Sequence, residues 1–321
     1  MAQVKSQKKI IIVLPCYNEG EALTYTIDAL AKARKEISKK YRLDVMFVND
    51  GSSDNTQEVI EKAAAQHDFI YYRQFAHNAG HQSALRAGLN AATGYDATIM
   101  MDADMQHPPE LIPKMIEAWE ERGVKVVQMT RDDSTKDVGF AKYITSVWYY
   151  KFINWISDLS LEYGASDFRL IDRTVTETVA KSPENNLFLR GYFSWLKVPR
   201  ETIPYHPNKR VAGVSKYSLR KLLDLAYKGI LQFSEKPLRI AVTLGIVFAL
   251  ASIVYGIILT VLYFMGVHAV DGWTSLMVAL LFCFGINFIL LGIIGNYMAH
   301  SISIQKQRPE YIIATQKVPE L

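Results

Sequence analysis

Cysteine is scarce in this sequence, with Cys16 and Cys283 as the only two among 321 residues. Cys16 ends a predicted strand and Cys283 lies in an apolar helical stretch, so we expect no disulfide and no need for an oxidising compartment. No group of Cys and His residues has the spacing of a zinc site. Disulfide-stapled secreted domains and zinc-ligand domains are therefore excluded.

A strong charge of one sign is also missing, since the formal net charge is +4 from 36 Lys and Arg against 32 Asp and Glu. Nucleic-acid binders usually carry a stronger, clustered basic charge, so we expect no nucleic-acid partner. A phosphate-bearing substrate or an anionic membrane surface suits this balance better. No G-x-G-x-x-G follows the first predicted strand, which excludes a dinucleotide-binding dehydrogenase.

We expect no export signal either. The apolar run Ile10–Leu14 near the N-terminus is too short for a signal peptide and stops at Pro15. We interpret it as a buried first strand, and we expect the part of the chain that contains it to stay in the cytoplasm.

Short apolar runs alternate with helical patterns up to about residue 130. The predicted strands are Ile10–Leu14, Val45–Val48, Ile70–Phe75, Thr98–Met101 and Val124–Met129. The predicted helices are Glu21–Ser38, Asn55–Gln66, Gln82–Ala92 and Pro109–Arg122. This alternation predicts an α/β fold with a mostly parallel sheet covered by helices on both faces. In such sheets the ligand binds beyond the carboxyl ends of the strands.

Two long apolar stretches, Leu238–Met265 and Ser275–Met298, follow near the C-terminus. Each is long enough to cross ~30 Å of hydrocarbon as a helix, and the alternative is a very apolar buried hairpin. Lys236 and Arg239 precede or begin the first stretch, and Lys306 and Arg308 follow the second, which predicts that both ends lie in the cytoplasm. We expect residues 1–215 to form the catalytic domain, 216–237 a juxtamembrane amphipathic helix, 238–300 two transmembrane helices, and 301–321 a cytoplasmic tail.

The strongest chemical signal is Asp102-Ala103-Asp104-Met105-Gln106-His107, directly after a predicted buried strand. Two carboxylates at this place are costly unless something compensates their charge. A hard cation such as Mg²⁺ or Mn²⁺ does so, taking one or two carboxylates and completing its shell with water and substrate phosphate. Gln106 offers one more oxygen. The alternative is a plain turn ahead of the next helix.

Two further polar segments follow the first and second predicted strands. They are Pro15-Cys16-Tyr17-Asn18-Glu19 and Asn49-Asp50-Gly51-Ser52-Ser53-Asp54. The Asp50 carboxylate is suited to accept a hydrogen bond from a nucleobase N–H, and the Tyr17 ring to stack on a base. The alternative for the second segment is a turn followed by a helix N-cap at Ser53 or Asp54, and both interpretations are compatible.

Together these segments resemble the family-2 glycosyltransferases of the GT-A (Rossmann-like) fold. Further motifs match one subgroup of that family in order and spacing: Gly80-His81-Gln82-Ser83-Ala84, Asp167-Phe168-Arg169-Leu170, Asn186-Leu187-Phe188-Leu189-Arg190-Gly191, and Arg210-x-x-Gly213-x-Ser215-Lys216. This subgroup includes the dolichol-phosphate mannose synthases and the bactoprenol glucosyltransferases. The ending Lys306-Gln307-Arg308-Pro309-x-Tyr311 is similar to the bactoprenol branch.

The resemblance implies roles for individual residues. The uridine site would comprise Pro15, Tyr17, Glu19, Val48 and Asp50. The metal and the sugar nucleotide would be held by Asp102, Ala103, Asp104 and Gln106. Arg131 would face the donor or the lipid phosphate, Arg210 and Lys216 would close over the phosphates, and Asp167 and Arg169 would border the acceptor pocket. Asp104, Asp167 and Arg131 are the implied catalytic residues, whereas His77 and His81 receive no chemical role.

The resemblance also implies an activity: inverting transfer of a hexose, either glucose or N-acetylglucosamine, from a UDP-sugar to undecaprenyl phosphate in the bilayer, with Mg²⁺ or Mn²⁺. A separate flippase and a downstream transferase would then use the product, and homo-oligomerisation is left open. One alternative is a processive polysaccharide synthase, but its Gln-x-x-Arg-Trp motif is absent. The other is an inactive scaffold or sugar-nucleotide sensor, which would be expected to lack an acidic or basic residue that is present here.

Overall fold

A computed structural model describes residues 7–132, 151, 154–157, 159, 162, 164–185, 187–208, 227, 229–265 and 272–320. Arg210, Lys216 and most of the predicted amphipathic helix at 216–237 lie outside the described residues.

The core of the molecule is one eight-stranded sheet. Its strands are β1 (Lys8–Cys16), β2 (Tyr41–Asn49), β3 (Ile70–Phe75), β4 (Ala97–Met100), β5 (Val126–Arg131), β6 (Ala165–Asp172), β7 (Arg200–Tyr205) and β8 (Ile313–Lys317). They lie in the order β7-β5-β6-β4-β1-β2-β3-β8. β6 is antiparallel to β4 and β5, β8 is antiparallel to β3, and the other neighbours are parallel. The predicted α/β fold with a mostly parallel sheet is confirmed.

Helices cover both faces of this sheet. They are α1 (Gly20–Ile37), α2 (Thr56–Gln66), α3 (His81–Ala91), α4 (Ile112–Arg122), α5 (Arg173–Ala180) and α6 (Leu189–Trp195). Side chains alternate along a strand, so Ile10 and Ile12 of β1 pack in the core under α1, α2 and α4, whereas Ile11 and Val13 pack in the core under α3, α5 and α6. Burial on both faces explains why β1 reads as a continuous apolar run.

Strand direction decides where the polar segments meet. β1, β2, β4 and β5 run the same way, so their carboxyl ends at Cys16, Asn49, Met100 and Arg131 share one edge of the sheet. β6 runs the opposite way, and its beginning therefore brings Asp167 to that edge. The segments that the sequence marks as chemical converge there.

Two long helices follow, α7 (Lys236–Phe264) and α8 (Trp273–Gln305). Their apolar windows, within Lys236–Leu262 and Val278–Gln305, have a mean hydropathy of 2.5, and 0% of either window is buried in the molecule. A buried hairpin is thereby ruled out for the described residues. By length and composition both helices are suited to cross a membrane.

The segment after α8 returns to the eight-stranded sheet, which the sequence did not predict. β8 pairs with β3, and the Tyr311 ring stacks on Phe75 at 4.6 Å between centroids. Just before it, the Glu310 carboxylate contacts the Arg86 guanidinium at 2.8 Å, with side-chain exposures of 6% and 11%. Arg86 also donates to the main-chain oxygens of Ser182 and Glu184. The segment that follows α8 is therefore held against the sheet by side-chain contacts and by strand pairing.

Glu310→Gln tests this attachment. Because the variant keeps the shape and loses the charge facing Arg86, we expect it to destabilise the protein by about 2 kcal/mol. Thermal unfolding of the full chain in detergent measures the loss. Thr315→Ala is the matched control, since its hydroxyl bonds Gln74 on the exposed side of β8 and should cost less than about 0.5 kcal/mol. Equal, small effects of both variants would contradict a stabilising role of the tail.

Candidate active site

The segment with the two carboxylates forms a tight turn after β4. Asp104 is 5% exposed, and its Oδ1 accepts the main-chain N–H of Gln106 at 3.0 Å. Met105 has a left-handed backbone with φ of 63°. Ala103 is buried, and its carbonyl accepts the Thr26 hydroxyl at 2.8 Å. The turn that the sequence left as an alternative is thus present, and it holds Asp104 in place.

The main-chain N–H of Asp102 forms a hydrogen bond, whereas its carboxylate oxygen Oδ1 forms none with the described residues. Its N–H donates to His107 Nδ1 at 2.8 Å. Oδ1 is buried and has no hydrogen-bond partner among the described residues. Two imidazoles lie near the carboxylate, with His81 Nε2 at 3.7 Å from Oδ1 and His107 Nε2 at 3.6 Å from Oδ2.

A buried carboxylate oxygen without a hydrogen-bond partner is costly, and a bound cation removes that cost. Within the described part of the chain no cluster of three or more His, Cys, Asp or Glu residues is arranged to hold a metal. A zinc-like site is therefore not present there. Asp102 and the neighbouring Asp104 fit a hard cation that takes one or two carboxylates and relies on water and substrate phosphate for the rest.

Asp167 is neutralised by Arg190. The contact is bidentate, with Arg190 Nε at 2.9 Å from Oδ1 and Nη2 at 2.8 Å from Oδ2, and the Asp167 side chain is 2% exposed. Burial works to raise the pKa of Asp167, but the charge and hydrogen bonds of Arg190, together with His81, hold that pKa well below its ordinary value. Such a carboxylate is a poor proton acceptor.

Arg169 lies on the same strand and is 2% exposed. Its guanidinium stands over the Phe193 ring at 4.5 Å, donates to the Ser166 carbonyl at 2.8 Å and lies 3.8 Å from Asp167. Burial lowers its pKa to about 10, so it stays cationic at neutral pH. Arg169 is therefore a second buried cation near the Asp167 carboxylate.

The residues predicted to hold uridine lie at the ends of β1 and β2. Pro15 and Val48 are buried and face each other in the register of the two strands, whereas Tyr17 is 38% exposed. The following turns are bonded to each other, since Asn18 N–H donates to Ser52 Oγ at 3.0 Å and Gly20 N–H to Asp54 Oδ2 at 3.2 Å. Partly exposed Glu19 directly precedes α1, and its carbonyl accepts the N–H of Ala22.

The Asp50 carboxylate forms hydrogen bonds within the protein that the sequence did not predict. Oδ1 accepts the N–H of Ala79 at 2.7 Å, and Oδ2 accepts the N–H of Gly80 and the Asn78 side chain, each at 3.0 Å. Gly80 has φ of 98°, a conformation that suits glycine, and α3 starts at the next residue. Burial raises the pKa of Asp50, and the N–H groups of Ala79 and Gly80 offset this only in part. Asp50 thus organises the loop before α3, and its contact with uracil stays a prediction.

His81, the first residue of α3, joins the two acidic centres. Its Nε2 lies 3.4 Å from Asp167 Oδ2 and 3.7 Å from Asp102 Oδ1. Burial works to lower the pKa of His81, but Asp167 and Asp102 raise it above its ordinary value. The electrostatics of Cys16 show the same convergence, because burial raises its pKa well above the ordinary value and the charges of Glu19, Asp102 and Asp54 add to the rise.

The remaining predicted residues divide into two groups. Arg131 ends β5 at the site edge, where its Nε is buried without a hydrogen-bond partner among the described residues. Burial lowers the pKa of His107, and the charge of Arg131 adds to that shift. Gln106 is partly buried in the carboxylate turn. Arg210 and Lys216 lie outside the described residues, so their positions are not part of this geometry.

Comparison with known proteins decides the family. The model of glycosyl transferase family 2 matches residues 11–180, and the model of the GtrB C-terminal hairpin matches residues 236–301. The chain belongs to glycosyl transferase family 2. The resemblance inferred from its motifs is confirmed, and the GT-A fold with it.

Relatives of this glycosyltransferase match over nearly their whole length. A prophage bactoprenol glucosyl transferase homolog of Escherichia coli is 39% identical over 95% of this chain and 98% of its own. The bactoprenol glucosyl transferase of Shigella phage SfV is 38% identical over 96% of this chain and 99% of its own.

A solved structure is similar over a smaller part. The structure of a mannosyltransferase of Pyrobaculum calidifontis with GDP-Man and Mn²⁺ matches 71% of this chain and 63% of its own, at 15% identity and a TM-score of 0.48.

Besides His81, three residues of the glycosyltransferase site were not assigned a role from sequence. Arg190 lies in a motif that matches the family, His107 in the carboxylate segment, and Asn78 in the loop before α3. Each acts by bonding to an aspartate from another part of the chain or across a turn. For Arg190 and His107 the signal available in the sequence was their presence inside matching motifs, which marks a position without revealing its partner. Asn78 lies outside those motifs.

Proposed function

We propose that this glycosyltransferase moves a hexose from a UDP-sugar to a polyprenyl phosphate, with inversion at the anomeric carbon and with Mg²⁺ or Mn²⁺ as cofactor. The observation that carries the proposal is Asp102, whose buried Oδ1 has no hydrogen-bond partner among the described residues and lies in the same turn as Asp104. When bound there, the cation supplies Lewis-acid stabilisation of the departing diphosphate. Gln106 is the third candidate ligand.

For the donor, the partly solvent-exposed Tyr17 offers a stacking face beside Pro15 and Val48. Asp50 and Glu19 complete the proposed uridine site. The relatives are named glucosyl transferases, which favours glucose as the sugar, and N-acetylglucosamine is the second candidate. Ala103 and Asp104 would lie next to the sugar nucleotide.

The acceptor removes the need for a strong base. A phosphate monoester has a second pKa of about 6 and is largely dianionic at neutral pH. It therefore attacks without first losing a proton to the protein. This agrees with Asp167, which Arg190 keeps ionised and occupied. Arg131, Arg210 and Lys216 are proposed to screen the repulsion between donor and acceptor phosphates.

The relatives' names supply the acceptor class, since bactoprenol is a polyprenol, and α7 and α8 supply a fitting location. We place residues 1–215 at the cytoplasmic face, 216–237 along the interface, 238–300 across the bilayer, and 301–321 back in the cytoplasm, where β8 joins the sheet. The positions of Lys236, Arg239, Lys306 and Arg308 support this orientation. Two spans are too few for a conduit, so a separate flippase and a downstream transferase would use the product.

A panel of donors tests the proposal. Purified full-length protein is incubated with undecaprenyl phosphate, Mg²⁺ or Mn²⁺, and radiolabelled UDP-glucose, UDP-N-acetylglucosamine or GDP-mannose. We expect transfer from UDP-glucose, loss of transfer with EDTA, and recovery after adding back either ion. Transfer that persists in EDTA would contradict the metal assignment. Absence of lipid product with all three donors would contradict the proposed reaction.

A further inference from the structure

His107 is the buried aromatic residue at the end of the carboxylate turn, and the proposed reaction gives it no role. Its side chain is 5% exposed. The ring stacks on Phe168 at 4.9 Å with planes 9° apart, and it meets the Tyr205 ring edge-on at 6.0 Å. Rings on two sides fix the plane of the imidazole. Only its two nitrogens are left to act on other groups.

Both nitrogens are directed at the same residue. Nδ1 accepts the main-chain N–H of Asp102 at 2.8 Å, so Nδ1 carries no proton. In the neutral ring the proton is then on Nε2, which lies 3.6 Å from Asp102 Oδ2. One side chain therefore contacts both the backbone and the carboxylate of Asp102.

The turn needs such support. Met105 has φ of 63°, and a non-glycine residue in this region costs on the order of 1 kcal/mol. The bond between Asp104 Oδ1 and Gln106 N–H closes the middle of the turn. The contact between His107 and Asp102 closes its two ends. Without it, the Asp102 carboxylate would keep only the 3.7 Å contact between its Oδ1 and His81 Nε2.

We propose that His107 is the positioning residue of the carboxylate turn: it holds the Asp102 main chain and side chain so that Oδ1 stays directed at the divalent cation. This inference rests on the proposed function, because it assumes that Asp102 binds the metal. His107 itself would not bind the ion, and it is not one of the proposed ligands Asp102, Asp104 and Gln106. The competing explanation is that His107 is simply a packed core residue on Phe168.

Three substitutions separate these explanations. His107→Phe keeps an aromatic ring on Phe168 and removes both nitrogens. His107→Asn keeps an acceptor near the place of Nδ1 and loses the stacking and the Nε2 donor. Phe168→Leu is the matched control, since it disturbs the stacking and leaves the nitrogens of His107 in place.

The main readout is binding of Mn²⁺ by the full-length protein with UDP, measured without turnover from the electron paramagnetic resonance signal of free Mn²⁺. Thermal unfolding and the separate kcat and KM values for UDP-glucose are recorded beside it. Loss of a partner that orients a metal ligand weakens metal binding by about 10–100-fold. We expect that loss for His107→Phe, a smaller loss of about threefold to tenfold for His107→Asn, and near wild-type Mn²⁺ affinity with lowered thermal stability for Phe168→Leu.

Wild-type Mn²⁺ affinity of folded His107→Phe would overturn the proposal. If His107→Phe does not fold, His107→Asn decides, and an unchanged Kd for Mn²⁺ in that variant would overturn it too. Equal weakening by Phe168→Leu would assign the effect to packing and would also overturn it. Failure of the wild-type protein itself to bind Mn²⁺ with UDP would instead refute the metal role in the proposed function, so the two failures are distinguishable.

Discussion

Asp104→Asn is expected to lower kcat/KM for lipid glycosylation by at least about a thousand-fold, or ~4 kcal/mol of transition-state stabilisation. Asn retains the side-chain oxygen that accepts the Gln106 N–H at 3.0 Å, and Asn is well tolerated in such turns. The change therefore spares the turn and removes the negative charge. That charge is what a hard divalent cation requires.

Two measurements and one control variant make this result specific. Transfer of labelled glucose to undecaprenyl phosphate gives the kinetic loss, and thermal unfolding shows whether the fold survives. Glu110→Gln is the matched control, because it removes one negative charge from an exposed residue of the turn that leads into α4. Its activity should stay near that of the wild type. If Asp104→Asn were active and Asp104→Ala inactive, Asp104 would be only a turn residue.

The strands that the sequence predicted share one property. Each of β1 to β5 contains a short apolar run that is buried at least in part, although β3 also carries the half-buried Arg73 and Gln74. Such runs, bounded by turn residues, identify a strand without knowledge of its neighbours. β6 was not predicted, because Asp167 and Arg169 interrupt its apolar pattern. The Asp167 charge is tolerated because it pairs with Arg190, which lies in a distant helix, and the Arg169 charge lies 3.8 Å from Asp167.

β8 was missed for a different reason. Its sequence Ile-Ala-Thr-Gln-Lys is short and mostly polar, and the strand lies exposed at the edge of the sheet. What holds it are contacts just before it, the Tyr311 stacking and the Glu310 ion pair, whose partners are far away in the chain. No local pattern contains that information.

The candidate site followed from the sequence where a general rule applied. Carboxyl ends of parallel strands share an edge, so Asp50, Asp102 and Asp104 could be placed together before any coordinates. The partner of each aspartate could not be inferred. Asp50 bonds to the loop before α3, Asp102 to His107, and Asp167 to Arg190. Hydrogen-bond partners depend on packing distances that a single sequence does not contain.

Arg190→Met is expected to destabilise the protein by about 3–5 kcal/mol, because it leaves the Asp167 carboxylate, 2% exposed, without its bidentate partner. The residual contacts with His81 at 3.4 Å and with Arg169 at 3.8 Å are longer and cannot replace it. Asp167→Asn should cost less, since the Arg190 side chain is 26% exposed and can be hydrated. The double variant should recover most of the loss. Denaturant unfolding of the four proteins forms a double-mutant cycle.

The same four proteins decide what Asp167 does in the reaction. A general base contributes about 10²–10⁴-fold to the rate, so Asp167→Asn would lower kcat by that factor in a stable protein if Asp167 accepted a proton. If Asp167 instead anchors Arg190, Asp167→Asn lowers kcat only as far as the Arg190 side chain is displaced. In that case a plot of log kcat against pH for the wild type shows no break near a carboxyl pKa. We expect the second result. The acceptor phosphate is already dianionic, and the pKa of Asp167 is held well below the range in which a carboxylate takes up a proton at neutral pH.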